Sequence, residues 1–79
     1  MSIIKSPDHY AKWAIEPIVF IMGNQMSFWR GNVIKYVVRA GSKHYVGMTQ
    51  EESEITDLHK ARRYIDMRLN QLEGKAING

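Results

Sequence analysis

Residues Ser27 to Gly41, SFWRGNVIKYVVRAG, read at 100° per residue as a helix that is apolar almost all the way round. Trp29, Val33, Ile34, Tyr36, Val37, Val38 and Ala40 cover most of its circumference. A narrow stripe of Asn32, Lys35 and Arg39, spaced i, i+3, i+7, breaks the pattern, and Lys43 follows just past the helix end. A helix apolar on most faces is expected to be buried. Buried cations need partners, either acidic side chains of the chain itself or an anionic ligand.

The rest of the pattern adds two more helices. Residues 1–15 read as an irregular lead-in, with Pro7 biasing Ser6 away from helical angles and SPDHY carrying turn chemistry. A short helix over 17–24 starts at Pro17, a favoured first helical residue, and stops around Gly23–Asn24. Ser27 is placed to cap the second helix, 28–40, with Gly41 just past its end. After a connecting loop at 42–48, Thr49-Gln50-Glu51-Glu52 matches a capping box that opens a third helix over 50–73, ended by Gly74. Ile55, Leu58, Ile65, Leu69 and Leu72 form the apolar stripe of this helix, which at 1.5 Å per residue is about 35 Å long. Residues 74–79 are expected to fray. No internal repeat and no strand-period alternation is present, so the fold class is all-α: a three-helix domain with an irregular lead-in.

Size sharpens this picture. A chain of 79 residues makes one domain with a small core and is marginal alone. It has no cysteine, hence no disulfide and no thiolate metal site, which points to a cytoplasmic protein. Without a staple, self-association is the expected source of extra buried surface, and the overhang of the long third helix argues for the same homo-oligomer. Eleven basic against eight acidic residues give a net charge of +3, short of the basic arm of a nonspecific DNA binder. The strongly apolar run Ile18–Met22 is too short to span a membrane, and the N-terminus lacks signal-peptide character.

Three constellations could carry chemistry. In the cationic row of Asn32, Lys35, Arg39 and Lys43, Lys and Arg can grip phosphate oxygens and Asn can bond a base edge or a sugar. The alternative is a solvated stripe paired with Asp57 or Asp66. On the third helix Asp57, Ala61, Tyr64 and Arg68 share one edge of the apolar stripe, with Lys60 slightly further round. Asp57 could order a cation, meet a ribose hydroxyl or act as a base, and Tyr64 could stack on a base. The alternative is an ordinary ion pair beside an amphipathic Tyr. Lastly, His9 and Tyr10 in the lead-in could close a pocket or stitch the N-terminus to the core. If Lys35 and Arg39 serve a ligand, replacing either leaves the ligand-free fold intact; if they pair with Asp57, the loss is several kcal/mol, as for breaking a buried pair. There is no Walker-type phosphate loop and no HExxH or equivalent histidine spacing, so neither a metal nor a cofactor is expected.

The order SPDHY, IEPIVFI, FWRGNVIKYVVRAGSK, DLHKARRYID resembles a small SaV-like domain of unknown function from tailed phages. That domain occurs alone and within the phage nucleotide kinase that lacks a Walker loop. The match runs over about residues 6–70. It includes Pro7, His9, Tyr10, Glu16, Pro17, Gly31, Asn32, Lys35, Tyr36, Arg39, Lys43, Asp57, Lys60, Ala61 and Tyr64. The chain departs from the family pattern in HYVGMTQEESE, an insertion expected to reshape the pocket rim.

Resemblance and residue chemistry together imply a nucleotide or cyclic-nucleotide-like ligand. Lys35, Arg39 and Lys43 would hold phosphates, and Asn32, Asp57 and Tyr64 would orient base or sugar. Tyr36 and Lys60 belong to the same set, and His9 and Tyr10 would close the site. Three functions compete: phosphoryl transfer between nucleotides, a non-catalytic sponge for a host-defence nucleotide signal, and a nucleic-acid-binding or host-protein-inhibiting module. The modest charge ranks the last of these third.

Overall fold

A computed structural model describes residues 13–79 as three helices: α1 (Pro17–Gly23), α2 (Phe28–Arg39) and α3 (Gln50–Leu72). The fold is all-α, with no strand among the described residues. Each helix ends one residue short of its predicted span because Asn24, Ala40 and Glu73 occupy the C-cap positions. Residues 1–12, which include Pro7, His9 and Tyr10, lie outside the described residues.

Local chemistry sets the helix ends. Pro17 opens α1, where its missing N–H costs nothing. α1 closes with Met26 N donating to Ile21 O at 3.1 Å and Gln25 N to Met22 O at 3.0 Å. This is a Schellman arrangement with Gln25 at φ 54°, a conformation that favours glycine. Ser27 takes the N-cap position of α2, but its side chain makes no capping bond.

α2 ends in a type II turn: Ala40 at φ −56°, ψ 125°, Gly41 at φ 85°, and Ser42 N donating to Arg39 O at 2.8 Å. Such a turn needs a positive φ at its third residue, and Gly41 supplies it. Gln50 Nε2 then donates to Gly41 O at 2.6 Å, fastening the turn to the start of α3. The predicted capping box is formed in full: Glu52 N donates to Thr49 Oγ1 at 3.0 Å and Thr49 N to Glu52 Oε1 at 2.8 Å. The tail, expected to fray, turns back on α3, with Lys75 N donating to Asn70 O at 2.8 Å and Asn70 Nδ2 to Ile77 O at 3.2 Å.

α2 lies between the other two helices, packed on α1 on one side and on α3 on the other. The pairs Arg39–Asp57, Tyr36–Tyr64 and Trp29–Arg68 run in opposite directions along the two chains, so α2 and α3 are antiparallel. The described residues extend over 41 × 34 × 16 Å. One helix with its side chains is about 10–12 Å across, so three helices lie side by side in essentially one layer.

This layering overturns one expectation and shows which side of α3 packs inward. The apolar belt of α2 does not bury the helix: only Gly31 and Arg39 are buried there, and Val37 and Phe28 are exposed. The apolar stripe of α3 is not the side that packs on α2. Ile55, Leu58, Ile65, Leu69 and Leu72 stay exposed, while Ser53, Asp57 and Ala61 are buried. These small or short residues, spaced by four, let α2 approach closely. Ala61, 3 % exposed, and Pro17 at the start of α1 are the buried aliphatic side chains among the described residues.

Gly31 sets the α1–α2 distance. A Cβ placed there would lie 2.8 Å from Ile21 Cγ2, whereas one at Gly23 would meet nothing within 4 Å. Overpacking of this kind costs about 1–3 kcal/mol, against about 1 kcal/mol gained in helix propensity. Gly31→Ala is therefore expected to lower stability in urea denaturation, and Gly23→Ala to leave it unchanged or raised. Equal midpoints for the two variants would show that α1 does not dock on Gly31.

Candidate functional site

The last residue of α2, the second turn of α3 and the loop between them meet at one point. Arg39 Nη2 lies 3.2 Å from Asp57 Oδ1, and the two residues are 7 % and 0 % exposed. Tyr45, from the loop, closes on both. Its hydroxyl accepts from Arg39 Nη2 at 2.7 Å and donates to Asp57 Oδ1 at 2.5 Å. It also accepts from Lys60 Nζ at 3.1 Å. The loop is held in place because Tyr45 N donates to Ser53 Oγ at 2.9 Å, and Ser53 Oγ donates to Thr49 O at 2.9 Å.

Around this anchor lie three lysines. Lys60 Nζ stands 4.7 Å from the centre of the Tyr45 ring and 5.4 Å from that of Tyr36. Lys43 Nζ is 5.0 Å from the Tyr45 ring, and Lys35 Nζ is 5.1 Å from the Tyr36 ring. The Arg39 guanidinium sits 4.7 Å from Tyr36 and 5.7 Å from Tyr45. Four cations thus share two tyrosine faces. The ion pairs among the described residues are Arg39–Asp57 and Lys75–Glu73, so no carboxylate there lies within pairing distance of Lys35, Lys43 or Lys60. Cation–π contact holds a cation without neutralising it, at about 0.5–1 kcal/mol each where exposed.

The aromatic row continues away from the anchor. Tyr36 and Tyr64 stack at 6.0 Å with 13° between planes, and Phe28 meets Tyr64 edge-on at 6.0 Å. Tyr64, expected to stack on a base, stacks on a tyrosine of its own chain. Asn32, expected to orient a base or sugar, donates from Nδ2 to Phe28 O at 2.9 Å, one turn back along its own helix.

The structure therefore gathers Lys35, Tyr36, Arg39, Lys43, Asp57, Lys60 and Tyr64 along one seam between α2 and α3. It also redistributes their roles. Arg39 was expected to grip phosphate and Asp57 to meet the sugar. Both are instead buried against each other, because Asp57 faces α2 at its closest approach and Arg39 is the last α2 side chain to reach it. The internal alternative weighed for Arg39 is the geometry observed, with Asp57 and not Asp66 as the acid. The lysines keep part-buried positions around the pair. His9 and Tyr10 lie outside the described residues. Tyr45 and Ser53 were not anticipated. Tyr45 stands alone in a loop without periodicity, but Ser53 could have been found, since it extends the row of Asp57 and Ala61 by one turn.

These residues define a small helical domain with a cationic, tyrosine-lined seam. The chain belongs to the family described as protein of unknown function DUF3310, whose model matches residues 4–66. No curated protein and no solved structure matches it.

Removing one member of a buried ion pair strands the other, at about 3–5 kcal/mol. Arg39→Gln is accordingly expected to lower the melting temperature of the ligand-free protein sharply, and Lys35→Gln to leave it nearly unchanged. Calorimetric melts of both variants decide this, and a wild-type-like Arg39→Gln would remove the pair as an anchor. Tyr45→Phe keeps the ring and deletes the hydroxyl that Arg39 and Asp57 share. It is expected to cost about 1–3 kcal/mol, the range for a buried polar group that loses its partner. Chemical denaturation reads this, and a loss below 0.5 kcal/mol, on the order of an exposed substitution, would mean the loop is held by other contacts.

Proposed function

We propose that the protein binds a nucleotide or nucleotide-like phosphate ligand on the seam between α2 and α3. The observation that carries this reading is the set of Lys35, Lys43 and Lys60. All three are part-buried, share the faces of Tyr36 and Tyr45, and have no carboxylate partner among the described residues. Like charges held together favour an anion that can touch several of them, and phosphate oxygens accept charge-assisted bonds from ammonium groups. The tyrosine faces offer a stacking surface for a base. Arg39, Asp57 and Tyr45 stand behind the lysines and fix their spacing.

The resemblance to the tailed-phage domain shared with a Walker-less nucleotide kinase supports the same ligand class and suggests work in the cytoplasm of an infected bacterium. Phosphoryl transfer and sequestration use this site alike. Transfer needs a donor and an acceptor held together by cations. A homo-oligomer would supply the second half of such a site, and self-association is part of this reading.

Isothermal titration with ATP, GTP, a cyclic dinucleotide and inorganic phosphate tests the proposal. Lys60→Ala is expected to weaken nucleotide binding at least tenfold, about 1.4 kcal/mol, and Lys75→Ala in the tail to change nothing. Chromatography of mixed nucleotides after incubation separates the two uses: new phosphorylation states mean transfer, and unchanged nucleotides held stoichiometrically mean sequestration. No heat with any of these ligands, or equal affinity for wild type and Lys60→Ala, would reject the site.

A further inference from the structure

The Tyr45 hydroxyl uses every hydrogen-bonding position it has. A phenol has a single hydrogen to donate and an oxygen whose lone pairs accept. Arg39 Nη2 and Lys60 Nζ can only donate, and they reach that oxygen at 2.7 Å and 3.1 Å. The hydroxyl hydrogen is therefore committed to Asp57 Oδ1, at 2.5 Å. Asp57 Oδ1 also accepts from Arg39, while the buried Oδ2 has no hydrogen-bond partner. The phenol is fixed from three sides. Of its three partners Arg39 and Asp57 are buried, and Lys60 is the one that still borders the seam.

We infer that Tyr45 is a positioning residue of the ligand site: its hydroxyl aims the Lys60 ammonium at the bound phosphate. The inference rests on the nucleotide reading above and adds the group that sets the geometry of the seam. An ammonium carries three hydrogens. Tyr45 holds one of them and leaves the others for an anion. A lysine stem is flexible and carries its head into solvent unless something holds it. Holding the head before the ligand arrives removes an ordering cost from binding.

Tyr45 is itself placed by its loop. Its backbone N donates to Ser53 Oγ at 2.9 Å, so the hydroxyl is delivered to Lys60 by the same loop that carries Lys43. The reach of the hydroxyl also supplies an internal control. Lys60 is bonded to it, whereas Lys35 stands over the Tyr36 ring at 5.1 Å. A positioning role acts on Lys60 and spares Lys35. A role in the fold alone treats the two lysines alike.

A double-mutant cycle tests this, using whichever of ATP, GTP, a cyclic dinucleotide and inorganic phosphate the wild type binds most tightly in isothermal titration. Tyr45→Phe keeps the ring that faces Lys43 and Lys60, and is expected to weaken binding about three- to tenfold. Lys60→Ala, which costs the wild type at least tenfold, is expected to cost Tyr45→Phe only about threefold or less. Lys35→Ala is expected to cost both backgrounds the same factor. Equal Lys60→Ala factors in the two backgrounds would overturn this inference and leave the nucleotide reading standing. A Lys35→Ala factor that shrinks alongside would mean that Tyr45 acts through the fold alone, and would overturn it too. No heat from any of the four probes, or binding that ignores Lys60→Ala in the wild type, would overturn the nucleotide reading and this inference together. A second measurement needs no variant. Under limiting acetic anhydride, read by mass spectrometry, Lys60 of the ligand-free wild type is expected to react about threefold more slowly than Lys35 and Lys43, because its head must first leave the hydroxyl. All three lysines are part-buried, so equal rates would overturn the inference even if Tyr45→Phe fails to fold.

Discussion

The structure depends on a buried polar contact: Arg39 against Asp57, with the Tyr45 hydroxyl bonded to both. With Ala61 the buried aliphatic side chain of α2 and α3, few apolar contacts fix how far α2 is slid along α3. A charge pair does so more sharply, since a shift of one turn would strand a buried carboxylate. Desolvating both charges is costly, and an apolar pair of equal volume could match it in energy. It could not match the directionality, because a guanidinium, a carboxylate and a phenol accept one another only in a few orientations. Each comes from a different segment, so a single contact fixes the helix pair and the loop together.

The flat layer follows from the same economy of core. α2 sits between α1 and α3 and leaves two broad faces. On α3 the division is visible within one helix: Asp57 and Ala61 face α2, Lys60 lies on one flank, and the row from Ile55 to Leu72 lies on the other.

The helix ends were written in local chemistry, and for that reason they could be read. Thr49 and Glu52 form the capping box their spacing announces, Gly41 turns the chain after α2, and Pro17 opens α1. Burial could not be read the same way. Periodicity says which residues share a face of a helix, but not whether that face meets the chain's own helices or something else. The apolar stripe of α3 stays exposed, and the chain's own α2 covers the edge made of Ser53, Asp57 and Ala61. The cationic row shows the same limit. Asn32, Lys35 and Arg39 share a stripe, but Arg39 stands at the helix end where α3 and the loop reach it. Asn32, two turns earlier, bonds its own backbone. Tyr45 escaped notice because a loop residue has no period to betray it.

That the lysines have no carboxylate partner among the described residues follows from where the acids there lie. Glu51 and Glu52 lie in the first turn of α3, where the helix end favours negative charge, and Glu52 is occupied by the capping box. Asp66 lies on the side of α3 away from α2, and Asp57 is sealed behind Arg39 and Tyr45. The tyrosine rings are the partners left for Lys35, Lys43 and Lys60, and each ring contact is weak enough for a phosphate oxygen to displace. Lys60 also donates to the Tyr45 hydroxyl, so it joins the lysines directly to the buried anchor. The lysine cluster and the contact that holds α2, α3 and the loop together therefore share Tyr45: its ring faces Lys43 and Lys60, and its hydroxyl bonds Arg39, Asp57 and Lys60.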